Sequence, residues 1–335
     1  MIIKKSVSKF YLIFIGILII SFDLVWAEGW RFRKYAGEFL EIGVAARAEA
    51  LGGSYTALAN DVTAAYYNPA GLRDVKTAQA SFMHTQQMLA SVNYDFIAFA
   101  KPQSENRIFS LSLIRLGIDH INDSREAQVF FENDPENWRI DWAKVKSFNA
   151  ADYIFIISVA QKMKRGWWLG GNIKLIRRSL AEHSGNGLGV DIAVQKSLFD
   201  KFRFGANLKN TTTTLIAWDT GEKELVKPAL FIGGAGKIPI ASIKSNLRPV
   251  MDIILRSEGI QKSAQLNFGT LSLDFTGGIE YDYRGVLFVR AGVDQISRMA
   301  LGTGIQIPHI RIDYAYTHYD TEIGNSHRIG LIVQF

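Results

Sequence analysis

The chain has 335 residues, a formal charge of +6 and no cysteine. Lacking cysteine, it has no disulfide framework, thiolate metal site or cysteine nucleophile, and so small and dispersed a positive excess does not suggest nucleic acid. Seven prolines, 29 glycines and 12% aromatics suit an all-β chain with many tight turns.

The N-terminus reads as a secretory signal. Lys4, Lys5 and Lys9 form a basic region, Phe10 to Phe22 is apolar, and Val25-Trp26-Ala27 is a small-residue cleavage site before Glu28. An uncleaved anchor competes with this reading. However, the apolar run is 13 residues long and ends at Asp23, whereas a spanning helix needs ~20. No later segment has ~18 consecutive apolar residues, so no transmembrane helix is expected. The expected organisation is a signal peptide over 1–27, a plug-like segment over 28–76 and a barrel over 77–335.

Residues 28–76 are rich in Ala and Gly and do not alternate. Gly52-Gly53 permits a turn or a close backbone approach. Asn60 or Asp61 is a good N-cap for a short helix running to Tyr67. Asn68 precedes Pro69, which disfavours helical dihedrals, so the helix should stop there. Gly71 can then supply a turn into the first strand. Such a segment can fold inside a barrel as a plug.

Residues 77–335 alternate almost throughout, giving about 14 candidate strands of the ~9–11 residues that a tilted membrane strand needs. In Leu271 to Tyr283, Leu271, Leu273, Phe275, Ile279, Tyr281 and Tyr283 share one face. Ser272, Asp274, Thr276, Glu280 and Asp282 share the other. A soluble sandwich and a barrel both produce this pattern.

Connection lengths separate them. One set is mostly tight, such as Pro102–Asn106, Lys164–Gly166 and Pro308–His309; Pro239–Ser245 is its longest member. The other includes Asp119–Ser147, Ala181–Gly187, Thr213–Val226 and Glu258–Gln265. Short turns on one side and long loops on the other mark an outer-membrane barrel. In the final strand, Ile329, Leu331, Val333 and Phe335 share a face, and Ile332 is an apolar intruder opposite. Trp167, Trp168, Tyr281, Tyr283, Tyr314, Tyr316 and Tyr319 lie near strand ends. There they suit an interfacial girdle or ordinary strand enrichment.

The strand register turns Arg203, Asp274, Glu280, Arg290, Arg311 and Asp313 toward the lumen, along with Lys201, Lys209, Asp191, Asp282 and Arg328. Mutual ion pairing that fills the barrel is one reading. A polar path, or a site for a carboxylate headgroup, is the other. In the loop Asp119–Ser147, a short helix is predicted from Pro135, with proline at its first position. Trp138 and Trp142 there are candidates for ligand or partner contact, or for packing on the rim.

Catalytic motifs are lacking. The six histidines show no i, i+4 metal pair. There is no Gly-x-Ser-x-Gly elbow and no P-loop. Gly185–Gly189 precedes a strand rather than the helix that a phosphate cradle needs. The sequence reads as a non-enzyme, with no cofactor and no metal.

The stretch Arg47-Ala48, Leu51-Gly52-Gly53, Tyr55, Ala59, Asp61 and Asn68-Pro69-Ala70-Gly71-Leu72 resembles the N-terminal signature of the PorV/PorQ-like outer-membrane proteins. These are related to the FadL long-chain fatty-acid transporters. Asn60 and Ser54 depart from the family pattern. The runs Arg311–Tyr316 and Gly324–Arg328 resemble the family's final hairpin. The resemblance implies a transmembrane barrel of 14 antiparallel strands in the bacterial outer membrane, with the signature segment near or in its lumen. It implies outer-membrane lipid as one partner. It also implies either passage of hydrophobic or amphiphilic small molecules, such as long-chain fatty acids, or a PorV-like role in type IX secretion with translocon and cargo proteins.

Overall fold

The computed structural model describes residues 32–33, 38–87, 92–131, 134–199, 201–257, 264–319 and 325–335. The expected signal peptide, 1–27, lies outside them. Fourteen antiparallel strands form a closed barrel. They are β1 (Gln79–Gln87), β2 (Val92–Ser104), β3 (Arg107–Asp123), β4 (Lys146–Lys162), β5 (Trp168–Leu180), β6 (His183–Leu198) and β7 (Phe202–Lys209). There follow β8 (Ala229–Gly236), β9 (Ser245–Arg256), β10 (Leu271–Tyr283), β11 (Leu287–Val293), β12 (Met299–Ile307), β13 (Ile310–Thr317) and β14 (Ser326–Gln334). Each strand pairs with its sequence neighbours. The sheet closes where β1 meets β14, from Gln79↔Gln334 to Gln86↔His327. Closure removes both sheet edges, which no strand in lipid can leave exposed.

The barrel is inside out relative to a soluble sandwich. Along β10, Ser272, Asp274, Thr276, Glu280 and Asp282 are buried, while Leu271, Phe275 and Ile279 are exposed. On β3, Phe109, Leu111 and Leu113 face outward and Ser110 and Ser112 inward. Water would not tolerate so continuous an apolar belt, whereas a hydrocarbon layer requires it. Leu111 is 49% exposed within that belt. Leu111→Arg should therefore destabilise the barrel by about 2–4 kcal/mol in lipid vesicles. Guanidinium titration of the folded barrel would read this, and an unchanged midpoint would place Leu111 outside the apolar layer.

Several expectations change. Ala181–Gly187 is not a long loop: β5 and β6 stay paired up to Leu180↔His183. The predicted helix at Pro135 is instead a strand, Asp134–Ile140, in a hairpin with Gln128–Phe131. Proline fits a short unflanked hairpin as well as a first helical turn. Lys201 sits at a turn and is exposed, not luminal. Trp168 faces inward beneath Arg73, 5.9 Å from its ring centre, while neighbouring Trp167 faces outward, as the two-residue period demands. Ile332 also points inward and is buried against the luminal core, which accounts for the apolar intruder.

Residues 38–78 fill the lumen. They carry the short helices α1 (Ala46–Glu49) and α2 (Ala64–Tyr67) and a 3-10 turn, Pro69–Asp74. The segment descends from the long-loop end, where the Arg178 guanidinium lies over Phe39 at 4.5 Å. It reaches the short-turn end, where Asp74 accepts a hydrogen bond from Arg203 at 2.6 Å. Helix α2 begins at Ala64, later than the predicted cap. Asp61 instead caps the preceding turn, its carboxylate accepting from Thr63 N at 3.0 Å and Thr63 Oγ1 at 2.5 Å. Asn68 ends the helix in an extended conformation, φ −159°.

Candidate functional site

The segment is held by charge at one level of the lumen. Helix α1 turns Arg47 toward the wall. Its Nε and Nη2 donate to the two carboxylate oxygens of Glu280, both at 2.8 Å. Its Nη1 donates to Tyr55 Oη at 2.9 Å and to Asn60 Oδ1 at 2.6 Å. Asp61 stands 3.6 Å from the same nitrogen and accepts from Tyr55 Oη at 3.1 Å. Tyr55 is fully buried and serves as a neutral donor here.

Glu280 is the hub of this network. It also accepts from Arg290 at 2.7 Å and Arg248 at 2.8 Å. Arg311 lies 3.9 Å from it. Arg290 and Arg311 both pair with Asp313, at 2.9 and 2.8 Å, and Arg248 reaches Asp282 at 2.7 Å. Glu280, Arg290, Arg311 and Asp313 are thus brought together with Arg47 and Asp61. Asp274 and Arg203 stand apart. Asp274 pairs with Arg256 at 2.8 Å, and Arg256 also holds Glu41 at 2.7 Å. Arg203 holds Asp74 at the opposite end.

A second clamp is made of dipoles. Asp252 accepts from the backbone N–H groups of Tyr55 and Thr56 at 3.0 and 2.9 Å. Wall amides take the segment's carbonyls: Asn172 donates to Ala65 O at 2.8 Å, Asn207 to Tyr67 O at 2.8 Å, and Gln195 to Ala57 O and Ala59 O at 3.1 Å. A small-residue loop buried without regular structure needs such partners. Asn68 works from the other side, donating to Thr56 O at 2.8 Å and to Val194 O of the wall at 3.2 Å. Its Oδ1 accepts from Ala70 N at 3.1 Å. Pro69 then opens the 3-10 turn, at the position where a missing N–H leaves nothing unsatisfied.

Gly52 and Gly53 have φ +66° and +80°, the left-handed region that favours glycine. A Cβ on Gly52 would also meet Val293 O of the wall at 2.2 Å. One on Gly71 would meet Ala59 O at 2.3 Å. Gly52 and Gly71 therefore let backbone lie on backbone, whereas Gly53 faces open space and serves through its φ alone.

Arg248, Asp252, Asn172, Gln195 and Asn207 were missed in the sequence. Their inward register was the available signal. Trp138 and Trp142 sit on the loop hairpin and just after it, 51% and 73% exposed, so neither packs closely on the rim. The filled lumen leaves little space. One cavity of about 10 Å³ is lined by Leu40, Tyr66, Ile114, Lys174, Asp191 and Lys209, and a second of about 10 Å³ lies between Val44 and Asp313. In the first, Lys174 pairs with Asp191 at 2.7 Å. Lys209 has no carboxylate partner among the described residues; its ammonium lies 4.2 Å from the Tyr66 ring centre and 4.7 Å from that of Phe231. No group of residues suited to a metal ion occurs among those described.

The model of an uncharacterised protein family (UPF0164) matches residues 31–196. No curated protein matches. Solved structures do. The chain is similar to the toluene transporter TodX of P. putida, with TM-score 0.58 and 12% identity over 88% of this chain and 99% of that one. It is similar to the toluene transporter TbuX of Ralstonia pickettii, with TM-score 0.56 and 12% identity over 88% and 98%. It also matches a FadL homologue of Pseudomonas aeruginosa, with TM-score 0.55 and 10% identity over 87% and 98%. At such identities the likeness establishes the fold alone: a closed barrel of 14 antiparallel strands, the architecture of these transporters.

Proposed function

We propose that this chain conducts hydrophobic or amphiphilic small molecules across the outer membrane, with residues 1–27 as its export signal and 28–76 as a hatch. The short turns then face the periplasm and the long loops the exterior. The observation that carries the reading is the filled lumen. A segment of small residues is seated on a polar wall by hydrogen bonds and ion pairs, inside a barrel whose fold matches toluene transporters. The polar contacts can be exchanged for water as the hatch shifts, while the apolar cluster that Leu72 and Val75 of the hatch share with Phe96, Ile114 and Ile154 of the wall must part with it.

Lys209 favours a ligand with an anionic head. Its ammonium rests on aromatic rings rather than on a carboxylate, beside a small cavity lined by Leu40, Ile114, Ile154 and Ile156 together with the Lys174–Asp191 pair. A long-chain fatty acid matches that chemistry. In proteoliposomes, uptake of both oleate and toluene is expected. Lys209→Met should weaken oleate uptake roughly tenfold, the equivalent of one charge-assisted hydrogen bond, and leave toluene unchanged. Equal losses for both would remove the headgroup role. Uptake of neither by the wild-type barrel would end the conduit reading.

The exposed Trp138 and Trp142 favour a second reading, a PorV-like partner in type IX secretion that binds exported cargo through its loops. Large exposed aromatics on a loop hairpin suit protein contact. Crosslinking in native membranes should then capture a translocon or cargo protein, and Trp138→Ala with Trp142→Ala should abolish the capture. Capture that survives the double variant would discard this surface.

A further inference from the structure

Charge in this barrel is sorted along its axis. The positive excess is dispersed along the chain, yet every second connection reaches the same rim. At the short-turn rim, Arg107 follows turn 105–106, and Lys164 and Arg165 lie in 163–167. Lys201 ends 199–201, Lys237 opens 237–244 and Arg284 opens 284–286. All six are exposed, and none has an ion-pair partner among the described residues; Arg107 donates instead to Gln161 at 2.6 Å. The sequence places two acids in these turns, Glu105 and Asp200, of which Asp200 lies outside the described residues.

The opposite rim is different. There Arg125 pairs with Asp123 at 2.7 Å, Lys146 with Glu126 at 2.6 Å and Arg298 with Asp294 at 2.6 Å. Three of its cations are thus neutralised locally, while Arg177 and Lys227 donate to Asn186 and to Ser257 O. Those of the short-turn rim are interleaved with exposed apolar groups instead: Met163, Trp167, Ile238 and Val286 stand on the same connections. The Lys196 ammonium lies 5.1 Å from the Trp167 ring centre. Aromatic and basic side chains together at one level mark a membrane–water interface.

We propose that this rim is a recognition ring for anionic phospholipid headgroups of the surrounding leaflet. It rests on the outer-membrane reading, with the short turns toward the periplasm. The distribution of the cations selects the occupant. A soluble protein would meet one sector of the rim, but the cations stand on five successive short turns. A partner that meets them all must encircle the barrel, and a leaflet does.

The test uses the folded full-length protein in nanodiscs of equal phosphatidylglycerol and phosphatidylethanolamine. Native mass spectrometry then counts the lipids it retains. Wild type should retain phosphatidylglycerol in roughly fivefold excess, shrinking as salt rises. The variant R107Q/K164Q/K201Q/K237Q should lose the excess. Lys144→Gln with Lys146→Gln, at the other rim, should keep it. Should the fourfold variant not fold, K201Q and K237Q each singly should lose part of it. Equal retention of both lipids by wild type, or an excess untouched by these substitutions, overturns the ring. So does capture of peptidoglycan fragments or an acidic protein without lipid enrichment. Gel mobility before and after boiling is recorded on each sample. Wild type without a heat-dependent shift refutes the barrel reading itself, while a shift without enrichment refutes the ring alone.

Discussion

Glu280→Gln should destabilise the barrel by about 3–5 kcal/mol, the cost of removing one partner from a buried ion network. The substitution preserves shape and removes one charge. In the native lumen that charge is shared by Arg47, Arg290 and Arg248 at 2.7–2.8 Å, with Arg311 nearby. The Glu280 side chain and that of Arg290 are wholly excluded from solvent. An amide oxygen can accept a hydrogen bond but cannot balance these guanidiniums, of which Arg290 is wholly and Arg47 almost wholly shut off from water. The wall arginines would keep Asp313 and Asp282 as carboxylate partners, whereas Arg47 would keep the neutral oxygens of Tyr55 and Asn60 and one carboxylate, Asp61, at 3.6 Å. The hatch should therefore loosen before the wall does. The temperature at which the compact gel form converts to the slow one should fall, and small-solute leakage through the barrel should rise. Arg203→Gln breaks the Arg203–Asp74 pair, whose side chains are 23% and 26% exposed, and should cost ~1 kcal/mol or less. If the two variants melt alike, Glu280 is not the hub.

The barrel was legible because its rule is local. A strand that separates lipid from lumen alternates every second residue, and Leu271 to Tyr283 displays both faces without any partner in view. The seat of the hatch was not legible, because its contacts join residues far apart in sequence. Arg47 and Glu280 are 233 positions apart and Tyr55 and Asp252 197. Period-two reading turned Glu280 inward but could not tell that Arg47 would meet it. Nor could it separate Asn172 and Gln195, which hold hatch carbonyls, from polar residues that merely face the lumen. At Pro135 the local signal was ambiguous, since proline opens a helix and also suits a hairpin strand. At Ala181–Gly187 glycines read as a loop, while the ladder of β5 and β6 carried on through them. The charge was misleading for a geometric reason. Basic residues one or two to a turn look scattered along the chain, yet the barrel stacks alternate turns on one rim.

The largest functional effect is expected from locking the hatch. Ser54 in the hatch and Thr276 on β10 place their hydroxyl oxygens 2.7 Å apart, both buried. The chain has no cysteine, so Ser54→Cys with Thr276→Cys introduces one pair with no competitor. Side-chain tips that already touch can close a disulfide with little backbone movement. The new bond would join hatch to wall beside Gly52-Gly53, where the backbone turns through positive φ. If the hatch must shift for a molecule to pass, the oxidised variant should take up neither oleate nor toluene, and dithiothreitol should restore uptake to the wild-type rate. Reduction is the internal control, because it changes neither sequence nor fold. The two states should melt in the order oxidised above reduced, since the bond constrains the unfolded chain. Oxidised barrels that conduct as well as reduced ones would show that the path avoids the hatch, leaving the Glu280 network as a purely structural clamp.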